Sequence, residues 1–538
     1  MSRSRALLSP AIIALGFVLL AGVYPLLRLL LVPLFPGLAP PQMTIASDQS
    51  LSFAAITYTS RIGIEAGIAA MLPGFALAYV LERFDWAGNR VLAGSLWLLL
   101  LTPSYLLSTG WQLFLSMPAL AGGALDRLFF SEGGIVFLLV LKSLPFACLA
   151  ARACWAMIGG EIGAALRIHV RSPWRRALVL AHLAAPSAGA IFAVVFIEAI
   201  ADFGIAATLG AHLRMPLVIY GIYTALARTP IDFRHAATLS LVLVALAAGA
   251  VMLHQYLAAR GARSSSRTQR APRQRPTTAQ ARSAAAATAI LILLVFVIPG
   301  AALAVRAFGA AEPVKVDLED WLSIAYSVCY AFVGATLSTM LAIVLLGFGS
   351  TGSPRLGRLI DTATLGSMAV PGIVLGAAYI IAFNGWLPIY GTPMLLLLGF
   401  VATHLPMLMR FLQAPLQNAH ASLADAAALH GLGRMTRIEQ IHAPLLLRPV
   451  LWGWALAFGA IFFELPLASL LYPIGRAPLG IQLLLLDESL HFAAEARLAI
   501  IGVLACLAVV GLVVWVLPWW LSRPSDGARL PAPARSPA

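Results

Sequence analysis

Ala259–Arg282 reads ARGARSSSRTQRAPRQRPTTAQAR, a stretch of Arg, Ser, Gln, Thr and Pro set between long apolar runs of a 538-residue chain. It carries seven arginines, Arg260, Arg263, Arg267, Arg270, Arg273, Arg275 and Arg282. Such a segment cannot bury a core, so it is expected to be a disordered linker, and its arginines place it on the cytoplasmic face of a membrane. A helix needs about 20 mostly apolar residues to cross a bilayer core of about 30 Å. Six such segments precede the linker, at roughly Ala11–Phe35, Ile62–Leu81, Val91–Leu115, Gly134–Met157, Pro186–Leu209 and Ala236–Leu257. Six follow it, at roughly Ala284–Val305, Ile324–Phe348, Leu359–Phe383, Met394–Leu412, Val450–Leu471 and Leu498–Trp520. The runs are continuous, where barrel strands would alternate with period two, so helices are expected.

Composition agrees. Charged residues make up 11%, apolar residues 60%, and the mean hydropathy is +0.89. These values exclude a disordered chain, a secreted disulfide scaffold and a cytoplasmic enzyme. The net charge of +14 is almost wholly arginine, since Lys142 and Lys315 are the only lysines. The arginines sit between apolar runs, where they meet lipid headgroups and obey the positive-inside rule, so no nucleic-acid partner is expected. Cys148, Cys154, Cys329 and Cys506 lie in or beside apolar runs without metal-ligand spacing. Arg3 and Arg5 ahead of Pro10–Pro36 resemble a signal peptide, but the missing small-residue cleavage site favours a retained first helix.

The expected fold class is therefore all-α, a polytopic membrane protein of about twelve transmembrane helices in two parallel six-helix repeats. The repeats would occupy 1–258 and 284–521, joined by the linker at 259–283 and followed by a cytoplasmic tail at 522–538. An even number of crossings on each side of the linker puts both termini in the cytoplasm. In each half a long, basic, Ala/Gly-rich loop separates the fourth and fifth crossings, and an acid follows inside the fifth. Those acids, Glu198 and Glu464, stand 266 residues apart. Parallel copies are related by an axis along the bilayer normal, where a pathway is expected.

The second long loop, ADAAALHGLGRMTRIEQIHAPLLLRP, spans Ala424–Pro449. Asp425 favours a helix start, the alanines propagate it, and Gly431 permits a sharp turn into a second, basic helix. Leu429, Leu432, Met435 and Ile438 beside Arg434 and Arg437 suit a groove on a cytoplasmic protein, or else an interfacial helix lying on lipid.

This loop resembles the EAA motif of binding-protein-dependent ABC importer permeases. Asp425-Ala426-Ala427 stands for E-A-A, Gly431 for the motif glycine, and Pro444 for the closing proline. The first loop, GAALRIHVRSPWRRALVLAHLAAP at Gly163–Pro186, looks like a degenerate copy. It keeps Ser172-Pro173-Trp174 but has Val170 at the glycine position and Ala164 at the acid position. Further on, Glu198-Ala199-Ile200-Ala201-Asp202-Phe203-Gly204 resembles the E-x-x-x-D-F-G of fused ferric-iron permeases, and Tyr220-Gly221-Ile222-Tyr223 follows at a similar place. Glu464-Leu465-Pro466 with Leu470 to Pro473, and Ala369-Val370-Pro371-Gly372, resemble that group's second half. Fused thiamine and phosphonate permeases share the architecture.

The resemblance implies an inner-membrane permease without enzymatic activity. Two ABC ATPase subunits would dock on Asp425, Ala426, Ala427, Gly431, Arg434, Ser172, Pro173 and Trp174, and a periplasmic solute-binding protein would dock outside. ATP and Mg would sit on the ATPases and no cofactor on this chain, whose two lysines lack a glycine-rich P-loop. Glu198, Asp202, Glu464 and Pro466 are the pathway candidates, because intramembrane carboxylates are expensive. They could attract a cation or gate the pore, or they could pair with arginine or cap a broken helix. Lys142, His404 and Arg410 are expected to snorkel or pair. His420, His430 and His442 match no zinc spacing, and no metal site is expected. An ion-driven secondary transporter is the alternative from another class, though it would need more coupling carboxylates and no long surface loops.

Overall fold

The structure is a computed structural model, and it describes residues 16–35, 37, 49–157, 160–263, 273–309, 317–351, 370–384, 389–418, 436, 443–516 and 518. The chain is an all-α polytopic membrane protein. Among the described residues nine helices are long and apolar enough to cross a membrane, and Asn89–Leu101 with Ser104–Leu115, bent by 100°, form a broken span or a re-entrant loop. Helices satisfy their own backbone groups, which is what permits them in hydrocarbon. The only β contact among the described residues is an isolated bridge between Phe84 and Gln274. Of the twelve expected crossings, Ala11–Phe35 appears as the shorter apolar helix Gly16–Leu31. The one expected at Leu359–Phe383 appears as Gly372–Phe383, and its first part lies outside the described residues.

Three expected crossings are interrupted. Val91–Leu115 is bent at Thr102-Pro103, where both residues are extended, because proline lacks an N–H and drives its predecessor out of the helical region. The fifth crossing of the first half runs as a helix over Pro173–Ala201, stops at an extended Asp202, and resumes as Phe203–Ile205. In the second half Ala443–Phe462 stops before Glu464-Leu465-Pro466, and Ala468–Leu471 follows as a separate turn.

Two helices were not anticipated. Val218–Ala227 and Leu479–Glu488 have ten residues each, about 15 Å, too short to cross. Each begins on a hydroxyl from the long second helix of its own half. Val218 N–H donates to Thr59 Oγ1 at 2.9 Å, and Leu479 N–H donates to Ser327 Oγ at 2.7 Å. These contacts fill a backbone donor that every helix start leaves open.

The interval from Thr59 to Ser327 recurs from Pro103 to Pro371 and from Trp111 to Tyr379, and the last pair ties the halves together. The first helix of each half contains a π-helical stretch, Leu19–Val23 and Leu293–Val297, followed by Pro25 and Pro299. Leu293 O receives the Ile298 N–H five residues on. The next donor in that register would be Pro299, so Leu294 O is left open, and Trp111 Nε1 donates to it at 3.0 Å. Likewise the α-helical donor to Ala21 O would be Pro25, and the Tyr379 hydroxyl donates there at 2.7 Å. Ser104–Leu115 thus packs on Ile298–Phe308, and Gly372–Phe383 packs on Tyr24–Leu31. The first contact requires Gly110, since a Cβ there would lie 2.4 Å from Pro299 Cβ.

The basic stretch is more ordered at its ends than expected. Helix Phe233–Arg263 enters it, and Thr278–Ile292 starts inside it with a capping box between Thr277 and Gln280. Gln274 N–H donates to Arg83 O at 2.8 Å and Asp85 N–H donates to Gln274 O at 3.0 Å. The end of the basic stretch therefore rests on the connection between helices Gln49–Arg83 and Asn89–Leu101.

Candidate functional site

The breaks gather Lys142, Asp202 and Glu464. In the first half, the bend at Pro103 leaves the last carbonyls of Asn89–Leu101 without intrahelical donors. Lys142, in the middle of Glu132–Arg152, closes that end. Its Nζ donates to Leu99 O and Leu100 O at 3.2 Å and to Thr102 O at 2.6 Å. A cation at a helix C-terminus also meets the negative end of the helix dipole. The same ammonium lies within electrostatic reach of Glu198 and Asp202. Asp202 Oδ1 accepts the Ile205 N–H at 2.8 Å, capping the resumed helix. Gly204 lets the two breaks meet, for a Cβ there would lie 2.3 Å from Ser104 Oγ and 2.8 Å from Tyr105 N.

In the second half a carboxylate does the capping alone. Glu464 is buried, and its Oε1 and Oε2 accept the Leu467 and Ala468 N–H groups at 2.7 and 2.8 Å. Pro466 lies inside this turn. Pro371 starts Gly372–Phe383, and a Cβ on Gly372 would touch Glu464 Oε1 at 3.4 Å. Helix Leu479–Glu488 closes the site, since a Cβ on Gly480 would lie 3.1 Å from Glu464 O and 3.6 Å from the hydroxyl of Tyr105 in the first half.

The structure thus brings Glu198, Asp202 and Lys142 into one cluster and Glu464 with Pro466 into another. Asp202 and Glu464 act as helix caps, which was one of the two roles open to them. Lys142 does not snorkel. His404 is buried, with Nδ1 2.9 Å from Phe400 O, and Arg410 is exposed.

The first long loop forms a helix, a turn and a second helix. Gly160–His169 ends at the turn Val170–Ser172, and Pro173 opens the next helix at its first position. Ser172 caps that helix by accepting the Arg175 N–H. Arg176 fastens the turn, donating from Nε to Val170 O at 2.5 Å and from Nη2 to Arg171 O at 3.3 Å. Ile168, Trp174 and Leu178 are exposed by 74, 75 and 62%, apolar side chains in a stretch that also carries Arg171, Arg175 and Arg176. Asp425, Ala426, Ala427, Gly431 and Arg434 of the second loop lie outside the described residues.

The chain is similar to the probable ABC transporter permease protein y4fN of Sinorhizobium fredii. The two are 23% identical over 276 residues, 46% of this chain and 48% of that protein, so the likeness spans about half of each. No protein-family model and no solved structure matches the chain.

Thr59, Ser327, Tyr105, Asp487 and Glu495 were not singled out from sequence. The hydroxyls carry no signal beyond composition, and the two acids lie beside or outside the expected crossings. The recurring interval of Thr59 and Ser327 was the signal that could have found that pair.

Proposed function

We propose that this chain is the permease subunit of an ATP-driven ABC importer, with ferric iron as cargo. Two six-helix halves would move against each other by alternating access. Two separate ATPases carrying ATP and Mg would dock on the surface loops near Trp174 and Gly431, and a periplasmic binding protein would deliver the solute. The chain would sit in the bacterial inner membrane with both termini cytoplasmic. The observation that carries this reading is the surface helix–turn–helix presenting Ile168, Trp174 and Leu178, in a chain similar to a probable ABC transporter permease. The reciprocal contacts of Trp111 and Tyr379 support two equivalent halves. Iron as cargo rests on the resemblance at Glu198–Gly204 and Glu464–Pro466.

Detergent pull-down of the tagged chain from its native membrane, followed by mass spectrometry, tests the proposal. A P-loop ATPase should be recovered, and the binding protein encoded nearby should carry iron rather than thiamine or a phosphonate. A chain that comes out alone and transports in proteoliposomes on an ion gradient would replace the proposal with a secondary transporter.

A further inference from the structure

A cavity of about 530 Å³ lies between the halves, away from the two capped breaks, and its polar lining is Thr109, Gln112, Ser116, His212, Arg306 and Asp487. Thr109, Gln112 and Ser116 share one face at the end of the bent pair. Asp487 ends the short helix Leu479–Glu488 and is buried. Behind it stands Glu495, 1% exposed, within electrostatic reach of Asp487 and next to Thr109. Tyr105 in turn lies within reach of both Glu495 and Glu464.

The partners are missing along this line. The Tyr105 hydroxyl has no hydrogen-bond partner, and Thr109 Oγ1 and Glu495 Oε2 have none beyond each other, although the residues are only 4, 2 and 1% exposed. Buried polar atoms are satisfied in the great majority of cases, so a run of unsatisfied ones marks the place of something other than the chain. Neither Asp487 nor Glu495 is in an ion pair among the described residues, and the cationic group within electrostatic reach of Asp487 is His212. Arg306 is exposed at the rim, and Arg497 donates to Ala307 O at 2.8 and 3.2 Å. His212 Nδ1 is 3.0 Å from Thr208 O, a carbonyl that can only accept, so that nitrogen carries the proton and Nε2 keeps a lone pair in the neutral ring.

Carboxylate, hydroxyl and amide oxygens are the ligands of hard cations. Among the described residues no group of three or more His, Cys, Asp or Glu side chains converges closely enough to hold a bare ion. An ion here would therefore keep water, at about 30 Å³ each, for which the cavity has room.

We propose that this cavity binds a hard di- or trivalent metal cation through Asp487 and the Thr109 hydroxyl, with water completing its shell and the charge of the buried Glu495 behind them. From there the Tyr105 hydroxyl leads to Glu464 at the contact between the halves. Passage of the ion along this line rests on the permease reading, whereas the binding does not.

The test uses the full chain in detergent with terbium(III) as the probe, read by emission sensitised through Tyr105 and Trp111. Emission should saturate, and Asp487→Asn with Glu495→Gln should weaken the apparent affinity by about tenfold or more. Glu319→Gln, on the exposed acidic surface, should leave it unchanged. Unaltered binding by a monodisperse double variant overturns the site. If that variant aggregates, Thr109→Val decides alone, with a several-fold loss expected and an unchanged affinity refuting. Failure to recover an ATPase leaves saturable emission standing, and absent emission from a chain that does bring its ATPase removes the site alone.

Discussion

Lys142→Met gives the sharpest test of how the first break is held. The ammonium is the donor for Leu99 O, Leu100 O and Thr102 O, and it faces Glu198 and Asp202 in the middle of a crossing. Methionine fills nearly the same space without a charge, so the packing loss is small. The electrical loss is not. Leaving three carbonyls without their charged donor costs about 3–5 kcal/mol in all, at about 1–3 kcal/mol for each group left unsatisfied. Chains of 150–250 residues shift by about 2–4 °C per kcal/mol, and a longer chain sits at the low end, so the apparent Tm should fall by about 6–10 °C. Loss of the monodisperse size-exclusion peak on heating in detergent measures it, at one fixed heating rate since unfolding of large proteins is scan-rate dependent. Adding Glu198→Gln to Lys142→Met removes one stranded carboxylate and should recover part of the loss. A single variant within a degree or so of the parent would mean that Lys142 does not hold the break.

Gly110→Val would drive a side chain into Pro299, whose Cβ lies 2.4 Å from the added Cβ position, so about 1–3 kcal/mol or more should be lost and the halves loosened, read by limited proteolysis. Tyr379→Phe removes one hydrogen bond to Ala21 O and should cost about 1 kcal/mol in the same thermal assay, a far smaller effect than that of Lys142→Met. Gly431→Asp should abolish uptake with membrane insertion intact, and undiminished transport would count against a coupling role. Glu198→Gln with Glu464→Gln should alter cargo flux while ATPase recovery in the pull-down stays constant.

Most of the crossings were legible because about 20 apolar residues in a row have few other uses. Of their interruptions the prolines showed the one near Pro466 but not those at Thr102-Pro103 and Asp202, for a definite reason. Hydropathy sums side chains, whereas a break is decided by whether a few freed backbone groups find partners. At Pro103 the partner is Lys142, on another helix. At Asp202 and Glu464 it is the residue's own carboxylate, and at Asp202 the apolar composition on both sides hides the stop. The reciprocal packing of the first helices was equally hidden. Pro25 and Pro299 are visible as prolines, but that Tyr379 and Trp111 supply the missing donors is a fact of tertiary structure.

The two breaks also show why the halves differ in chemistry at matching places. Ser104 follows Pro103 and Gly372 follows Pro371. In the first half the side chain belongs to Ser104, and the facing residue, Gly204, has none. In the second half Gly372 has none, and the facing side chain is Glu464. A Cβ on Gly204 would clash with Ser104 and one on Gly372 would just touch Glu464, so the side chain comes from opposite sides in the two contacts. Both resumed helices are capped by a carboxylate, Asp202 on the Ile205 N–H and Glu464 on the Leu467 and Ala468 N–H groups, and only in the second half is that carboxylate the group lying against the glycine. A bulky residue at 372 would then displace Glu464 and free the Leu467 and Ala468 N–H groups, whereas removing Ser104 Oγ would take one hydrogen bond from the Asp202 carboxylate and leave its cap on Ile205. Gly372→Leu should accordingly destabilise the chain far more than Ser104→Ala in the same thermal assay, and equal effects would show that the two contacts are not exchanged in this way.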